Sequence, residues 1–201
     1  MIAIVTGDIV NSRGVNPKIW LEILKENLSK FGKDPKSWQI FRGDSFQFQV
    51  DADMAFAMVL QLKAAIKKIE YLDVRLAIGL GDVTHQSKKI TESNGSAFIN
   101  SGECFDSLKK QTLAIKSDFE NFDNVFNTIF QLISFTADNW SIKTAEIIKV
   151  ALENPTTNQV ELAKLLTKKS QSTISAALKR GAYDEIKAAL NLYKSKIKKI
   201  C

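Results

Sequence analysis

Two apolar strands, each with a carboxylate where packing has no use for one, constrain this chain most. Met1–Ser12 (MIAIVTGDIVNS) and Trp38–Val50 (WQIFRGDSFQFQV) each carry a single Gly-Asp, at Gly7-Asp8 and Gly43-Asp44. A carboxylate inside or at the end of a strand needs a partner. A pair of them, each behind a glycine, invites a metal-site reading. The plainer reading is that each Asp caps a turn and accepts from backbone N–H groups. Which one holds depends on whether the fold brings the two together.

The order of elements answers that question. Ile2–Val5 is a continuous apolar run rich in β-branched residues, a buried strand. Asn16 reads as a helix cap with Pro17 as the first helical residue, and Ile19, Trp20, Ile23, Leu24, Leu28 and Phe31 form the helical stripe. Gly32 and Pro35 end it. Trp38–Phe41 is a strand, Arg42–Ser45 a tight turn, and Phe46, Phe48 and Val50 alternate with Gln47 and Gln49 in a third strand, making a hairpin. A helix over 51–70 with Met54, Met58, Leu62 and Ile66 inward follows, and Val74–Leu80 is a fourth strand. The order βαββαβ is the ferredoxin-like pattern. In that sheet the first and third strands are antiparallel neighbours, so Asp8 and Asp44 meet at one edge. Like charges that close repel unless a proton or a cation joins them. Mg²⁺ or Mn²⁺ on oxygen ligands is the expected remedy.

Beyond residue 81, Thr84–Ser93 reads as a polar loop or a mobile hairpin. Residues 97–108 read as a helix with Phe98, Ile99, Phe105 and Leu108 at helical spacing, and Leu113–Ile115 as an edge strand. Residues 118–138 form a strongly apolar helix that packs as core or as a dimer interface. Ser141 caps a helix that opens a second, all-α region. The expected fold class is α+β: a ferredoxin-like (βαββαβ) domain over 1–116, a connecting helix over 117–140, and an all-α helix–turn–helix domain over 141–201.

Composition narrows the functional classes. No run of about 18 apolar residues exists, so no spanning helix and no membrane partner are expected. Met1 leads straight into a strand, so no cleavable signal peptide is expected. Cys104 and Cys201 match no metal-ligand spacing, and a reducing cytoplasm is the expected location. His85 is the only histidine, so no histidine-based triad forms without it. The net charge of +6 is uneven: residues 141–201 hold twelve Lys and Arg against five Asp and Glu, or +7, and residues 1–140 hold sixteen against seventeen, or −1. Nucleic acid is the expected partner of such a tail, with a solvated basic surface as the alternative.

Three resemblances sharpen these expectations. Thr157–Arg180 resembles the helix–turn–helix of small bacterial regulators, with Ala163 where the helices cross and a turn at Lys168–Ser170. Its second helix would bury Ile174, Ala177 and Leu178 and expose Gln171, Ser172, Thr173, Ser175, Lys179 and Arg180 toward base edges and phosphates of duplex DNA. A packing or dimerisation module on the same scaffold is the alternative. Residues 1–110 resemble the catalytic domain of class III nucleotide cyclases, relatives of polymerase palms, through Gly7–Ser12, Arg42–Phe46, Val74–Asp82 and Gly95–Asn100. That resemblance implies a divalent metal on Asp8 and Asp44 and a phosphate cradle from the amides of Ile9, Val10, Asn11 and Ser12. It also implies Asn100 against a ribose, and a site shared between two protomers. Cys104 stands where the cyclase pattern has its Arg, and Ile40 where it has a base-reading Lys. Nucleotide binding is therefore implied, and cyclase turnover is not. The whole chain is similar to the SatD-like family of small bacterial proteins, through GDIVNSR, FRGDSFQ and SNGSAFINSGE. The expected function is a homodimeric DNA-binding transcriptional regulator with a degenerate cyclase-like sensor. The alternatives are a divalent-metal-dependent nucleotidyl or phosphoryl transferase using Asp8 and Asp44, and a non-catalytic dimeric adaptor.

Overall fold

The computed structural model describes residues 1–166 and 170–200. β1 (Ile2–Val10) is the central strand. It pairs antiparallel with β3 (Ser45–Asp51) on one side and β4 (Asp73–Gly81) on the other. β2 (Trp38–Phe41) closes the hairpin outside β3, and β5 (Leu113–Lys116) runs parallel to β4 at the far edge. The five-stranded mixed sheet has the order β2-β3-β1-β4-β5. The expected neighbours of the first strand are therefore the observed ones. Eight α-helices accompany the sheet among the described residues: α1 (Pro17–Leu28), α2 (Ala55–Ile66), α3 (Ser96–Ser107), α4 (Glu120–Ala137), α5 (Ile142–Glu153), α6 (Gln159–Leu165), α7 (Gln171–Arg180) and α8 (Tyr183–Ile197). None is long and apolar enough to cross a membrane.

The pleat sorts the strand residues into two faces. Ala3, Val5 and Ile9 join Trp20, Leu24 and Leu28 of α1 and Phe56, Val59 and Leu60 of α2 in the main core. Asn16 caps α1 as its sequence predicts, its side chain accepting from the Lys18 amide at 3.1 Å. The opposite face meets α3, where Ile4 packs on Ala97, and Ala77 and Ala114 pack on Cys104 and Leu108. Of the expected stripe Leu108 is buried and Phe98 and Phe105 are partly so, but the helix turns its small residues inward: Ala97, Asn100, Ser101 and Cys104 are buried and Ile99 is 55% exposed. The cause is close approach. A Cβ at Gly79 would stand 2.1 Å from the Ser101 amide and 2.3 Å from the Ala97 carbonyl.

α2 is shorter than the 51–70 read from sequence and is buried nearly all round. Leu62 and Ile66 are buried as expected, Met54 and Met58 are only half-buried, and Phe56, Val59, Leu60 and Lys63 are interior as well. The reason is a third layer. The Phe56 ring meets Phe126, Phe130 and Tyr193 edge-on, and the Tyr193 hydroxyl donates to the Ala52 carbonyl at 2.7 Å. Gln61 donates to the Leu152 carbonyl at 3.1 Å. Lys63, with no exposed side-chain surface, bridges Asp73 and Asp138, each at 2.7 Å. One apolar cluster thus runs from Ala3 to Ile197, and residues 141–200 share it with the sheet.

Ser141 caps α5, accepting from the Thr144 amide at 3.2 Å. α6 begins with a capping box between Asn158 and Glu161, and Ser170 caps α7. Leu162, Leu166, Ile174, Ala177 and Leu178 are buried. Val160 and Leu165, which share the expected apolar stripe, are exposed, because a seven-residue helix lying on α5 and α7 covers only one side. Of the turn expected at Lys168–Ser170, Lys168 and Lys169 lie outside the described residues.

Candidate functional site

The two carboxylates do come to one edge of the sheet. Asp8 pairs across the ladder with Ser45 on one side and Arg75 on the other, and Asp44 is the residue before Ser45. Asp8 finds its partner within the sheet. Arg75 Nε donates to Asp8 Oδ1 at 2.9 Å, and a terminal guanidinium nitrogen donates to Oδ2. Such two-point contact is the strongest form of ion pair. Its hydrogen bond to Asp8 holds the Arg75 guanidinium above its usual pKa against partial burial, with the Asp8 and Asp44 charges adding to it. Phe105 of α3 supports the guanidinium from the other side, 5.5 Å from ring centroid to Cζ. Asp44 accepts from the Ser12 hydroxyl, and its carbonyl accepts from the Ile9 amide at 3.2 Å.

These residues open on a cleft of about 810 Å³. Its charged lining is Asp8 and Asp44 against Arg13, Arg75, Lys109 and Lys110. Four cations facing two carboxylates, one of them already paired, leave a surplus suited to an anion. The backbone is strained here as nowhere else. Asn11 (φ 63°), Arg42 (φ 52°), Tyr71 (φ 66°) and Lys109 (φ 43°) are four of the five non-glycine residues with positive φ among the described residues. All four gather at this edge, where the Asn11 side chain donates to the Tyr71 carbonyl at 3.0 Å. Strain of this kind costs of order 1–3 kcal/mol per residue and clusters at functional sites.

Of the expected phosphate cradle, Asn11 and Ser12 line the cleft with Ile9 and Val10 behind them. Ile9 is buried, with its amide committed to Asp44, and Val10 is paired with Asp73 in the sheet. Asn100 stands elsewhere. Its side chain donates to the Leu80 carbonyl at 2.8 Å. Leu80 lies five residues along β4 from Arg75, roughly 17 Å at about 3.4 Å per residue. One chain therefore does not bring Asn100 to the Asp8/Asp44 cleft.

Mg²⁺ or Mn²⁺ requires a shell of oxygen ligands, carboxylates first among protein groups. No group of three or more His, Cys, Asp or Glu side chains suited to a metal occurs among the described residues. Both Asp8 oxygens already accept from Arg75. The residues do not form a protein-only cage. Asp44 with Asp8 would hold such an ion only alongside phosphate oxygens, the usual habit of Mg²⁺.

Arg75, Arg13, Lys109 and Lys110 belong to this edge and had no assigned role from sequence. Arg75 had a readable signal: it is the one charge inside the apolar VRLAIGL strand, as Asp8 is in its own. The two lysines carry no motif, and only the fold brings the α3–β5 loop to β1.

A second surface lies on α7. Gln171, Ser172, Thr173, Ser175, Lys179 and Arg180 are all exposed while Ile174, Ala177 and Leu178 are buried. The outward face holds no acid and ends in two cations. The model of the SatD family matches residues 1–198 of the chain. No curated protein and no solved structure matches it.

Proposed function

The chain belongs to the SatD family, and we propose that it is a DNA-binding transcriptional regulator whose cleft takes a phosphate-bearing ligand such as a nucleotide. The observation that carries the reading is the outer surface of α7, six polar or basic side chains with no acid, on the most basic part of the chain. α6 and α7, with the half-buried Ala163 between them, support a helix–turn–helix, and the α7 N-terminus would enter the major groove. The order β2-β3-β1-β4 is that of the ferredoxin-like pattern and supports the palm-like reading of the body. In the cleft, the surplus of Arg and Lys supports an anionic ligand.

The test is fluorescence anisotropy with labelled duplexes from the region flanking the protein's own gene, across a salt series. The expected result is binding that weakens steeply with salt. Lys179→Ala with Arg180→Ala should weaken all duplexes alike and reduce the salt slope by about 2, about one for each phosphate contact. Gln171→Ala should relax the preference among duplexes instead. Binding to no fragment, or binding indifferent to salt, sinks the reading.

The presence of both carboxylates at the cleft favours a second reading, a transferase in which Asp8 and Asp44 meet a divalent ion that arrives with a nucleoside triphosphate. It predicts turnover with Mn²⁺ that Asp44→Asn abolishes. No product from any triphosphate counts against it. A chain that binds neither DNA nor nucleotide would be the dimeric adaptor.

A further inference from the structure

On its outer side α4 leaves large apolar side chains uncovered among the uncharged Asn124, Thr128 and Gln131. Phe122, Phe126, Phe130, Ile133 and Ala137 point into the core. On the outer side Leu132 is 69% exposed and Phe135 is 82% exposed, with Val125 beside them. The fourteen residues from Asn124 to Ala137 carry no charge, in a chain of which 25% of residues are charged. Depletion of charge around exposed large apolar side chains is the mark of an interface core. Next to Leu132 lies a groove between α4 and α8 of about 360 Å³, walled by Ile129, Ile133, Thr136, Ile186 and Ala189.

We infer that this face of α4 is where a second copy of the chain docks, antiparallel, with the twofold axis at Leu132. Two observations select that occupant. The first is a knob beside a hole. With the axis at Leu132, Phe135 of one copy, three residues past the axis, lies over Ile129 of the other, three residues before it, at the groove. A patch that carries both a protruding aromatic and its receptacle is self-complementary, as a twofold interface requires. The second is charge. The outer face is acidic at its start, with Glu120 exposed, and basic just past its end, with Lys143 exposed. Lys143 stands on α5 and lines one cleft with Phe135 and Asn139 at the end of α4, so about the same axis the acidic end of each copy faces the basic end of the other. A parallel pairing would set acid on acid. The inference does not rest on DNA binding or on the cleft.

The experiment is sedimentation and light scattering of the full chain, read as mass against concentration. The wild type should show twice the mass of one chain. Leu132→Asp and Phe135→Asp should each raise the dimer dissociation constant by about 100-fold or more, the loss of a central anchor. Both positions are exposed, so the far-UV spectrum should stay that of the wild type, while the melting temperature should lose its dependence on concentration. Glu120→Lys and Lys143→Glu should each weaken the dimer, and the double exchange should restore it. In a Cys201→Ser chain, Leu132→Cys should form a disulfide-linked dimer on mild oxidation. A wild type that stays monomeric at its highest soluble concentration overturns the inference. So does a dimer indifferent to Leu132→Asp and Phe135→Asp. An exchange that fails to restore, or no cross-link at residue 132, overturns the antiparallel arrangement.

Discussion

The two ends of the β1–β4 pair use the same residue types to opposite ends. At one, Gly7-Asp8, Gly43-Asp44, Asn11 and Ser12 surround an open cleft. At the other, Gly79, Gly81, Gly95, Asn100 and Ser101 close the sheet against α3. Added Cβ atoms measure the difference. At Gly43, in the turn at the cleft, such an atom would meet nothing within 4 Å; at Gly7, inside the sheet, it would stand 2.7 Å from the Phe46 ring; at Gly79, Gly81 and Gly95 it would stand 2.1, 2.4 and 2.2 Å from its neighbours. The closed end satisfies its polar groups internally. Asn100 donates to the Leu80 carbonyl, and the Ser96 hydroxyl accepts from the Asp82 amide at 2.9 Å. The open end keeps cations in excess and left-handed backbone at non-glycine residues. Glycine next to small polar residues therefore marks two things, a place where backbone must approach backbone and a place where backbone must approach a ligand. What surrounds it decides which.

The comparison can be broken most forcefully from beneath the open end. Lys63 ties Asp73, beside the end of β1, to Asp138, which also accepts from Thr112 of the cleft wall. Lys63→Met removes the buried cation between the two acids, leaving Asp73 only Lys67 at 3.4 Å, and should cost about 3 kcal/mol in urea unfolding. A cost below about 1 kcal/mol would mean that the open end stands without this support. Gly79→Ala comes next, with about 1–3 kcal/mol lost to overpacking against α3. Gly14→Ala, with open space around it, should stay within about 0.5 kcal/mol. Equal effects at the two glycines would erase the distinction between the ends.

Arg75→Lys separates binding from stability. It keeps the charge but loses the planar two-point contact with Asp8. The half-exposed pair should contribute no more than about 1 kcal/mol to folding. The rise in melting temperature with ATP or GTP, with and without Mn²⁺, should be largely lost, as it should in Asp44→Asn. A nucleotide response that survives both substitutions would move the ligand elsewhere.

The smallest effect belongs to the closed end. Burial pushes the Cys104 thiol up to about 12, with the Asp123 charge adding to it and Lys116 opposing. The reactive thiolate is then scarce at any pH well below that value. In a Cys201→Ser chain, native protein at pH 8 should react with a thiol reagent only as fast as it unfolds. Rapid labelling would show that α3 is not sealed.

Much of this was legible in the sequence, and particular residues show where legibility stops. Asn16 with Pro17 starts α1, Ser141 starts α5, and the alternation of Phe46, Phe48 and Val50 is the buried face of β3, because caps and periods are local properties of the chain. The meeting of Asp8 with Asp44 followed from the order of elements, since that order sets which strands are neighbours. The outward side chains of α7 followed from its period. The partner of Asp8 did not follow, because it depends on register. Arg75 faces Asp8 only because β4 pairs with β1 at that residue, and a slip of one would turn it to the other face. α3 misled because a period says which residues share a face, not how close the next layer comes. Gly79 brings β4 within backbone distance, so Ala97 and Ser101 fit where Phe98 and Ile99 cannot. α2 misled for the complementary reason, that α4, α5 and α8 return from far along the chain to cover its outer side. The sequence by itself determined the elements, their ends and the edge where the acids meet. The tertiary structure alone decided the ion pair at Asp8, the distance of Asn100 from the cleft and the shared core of sheet and tail, because each depends on contacts between segments far apart in the chain.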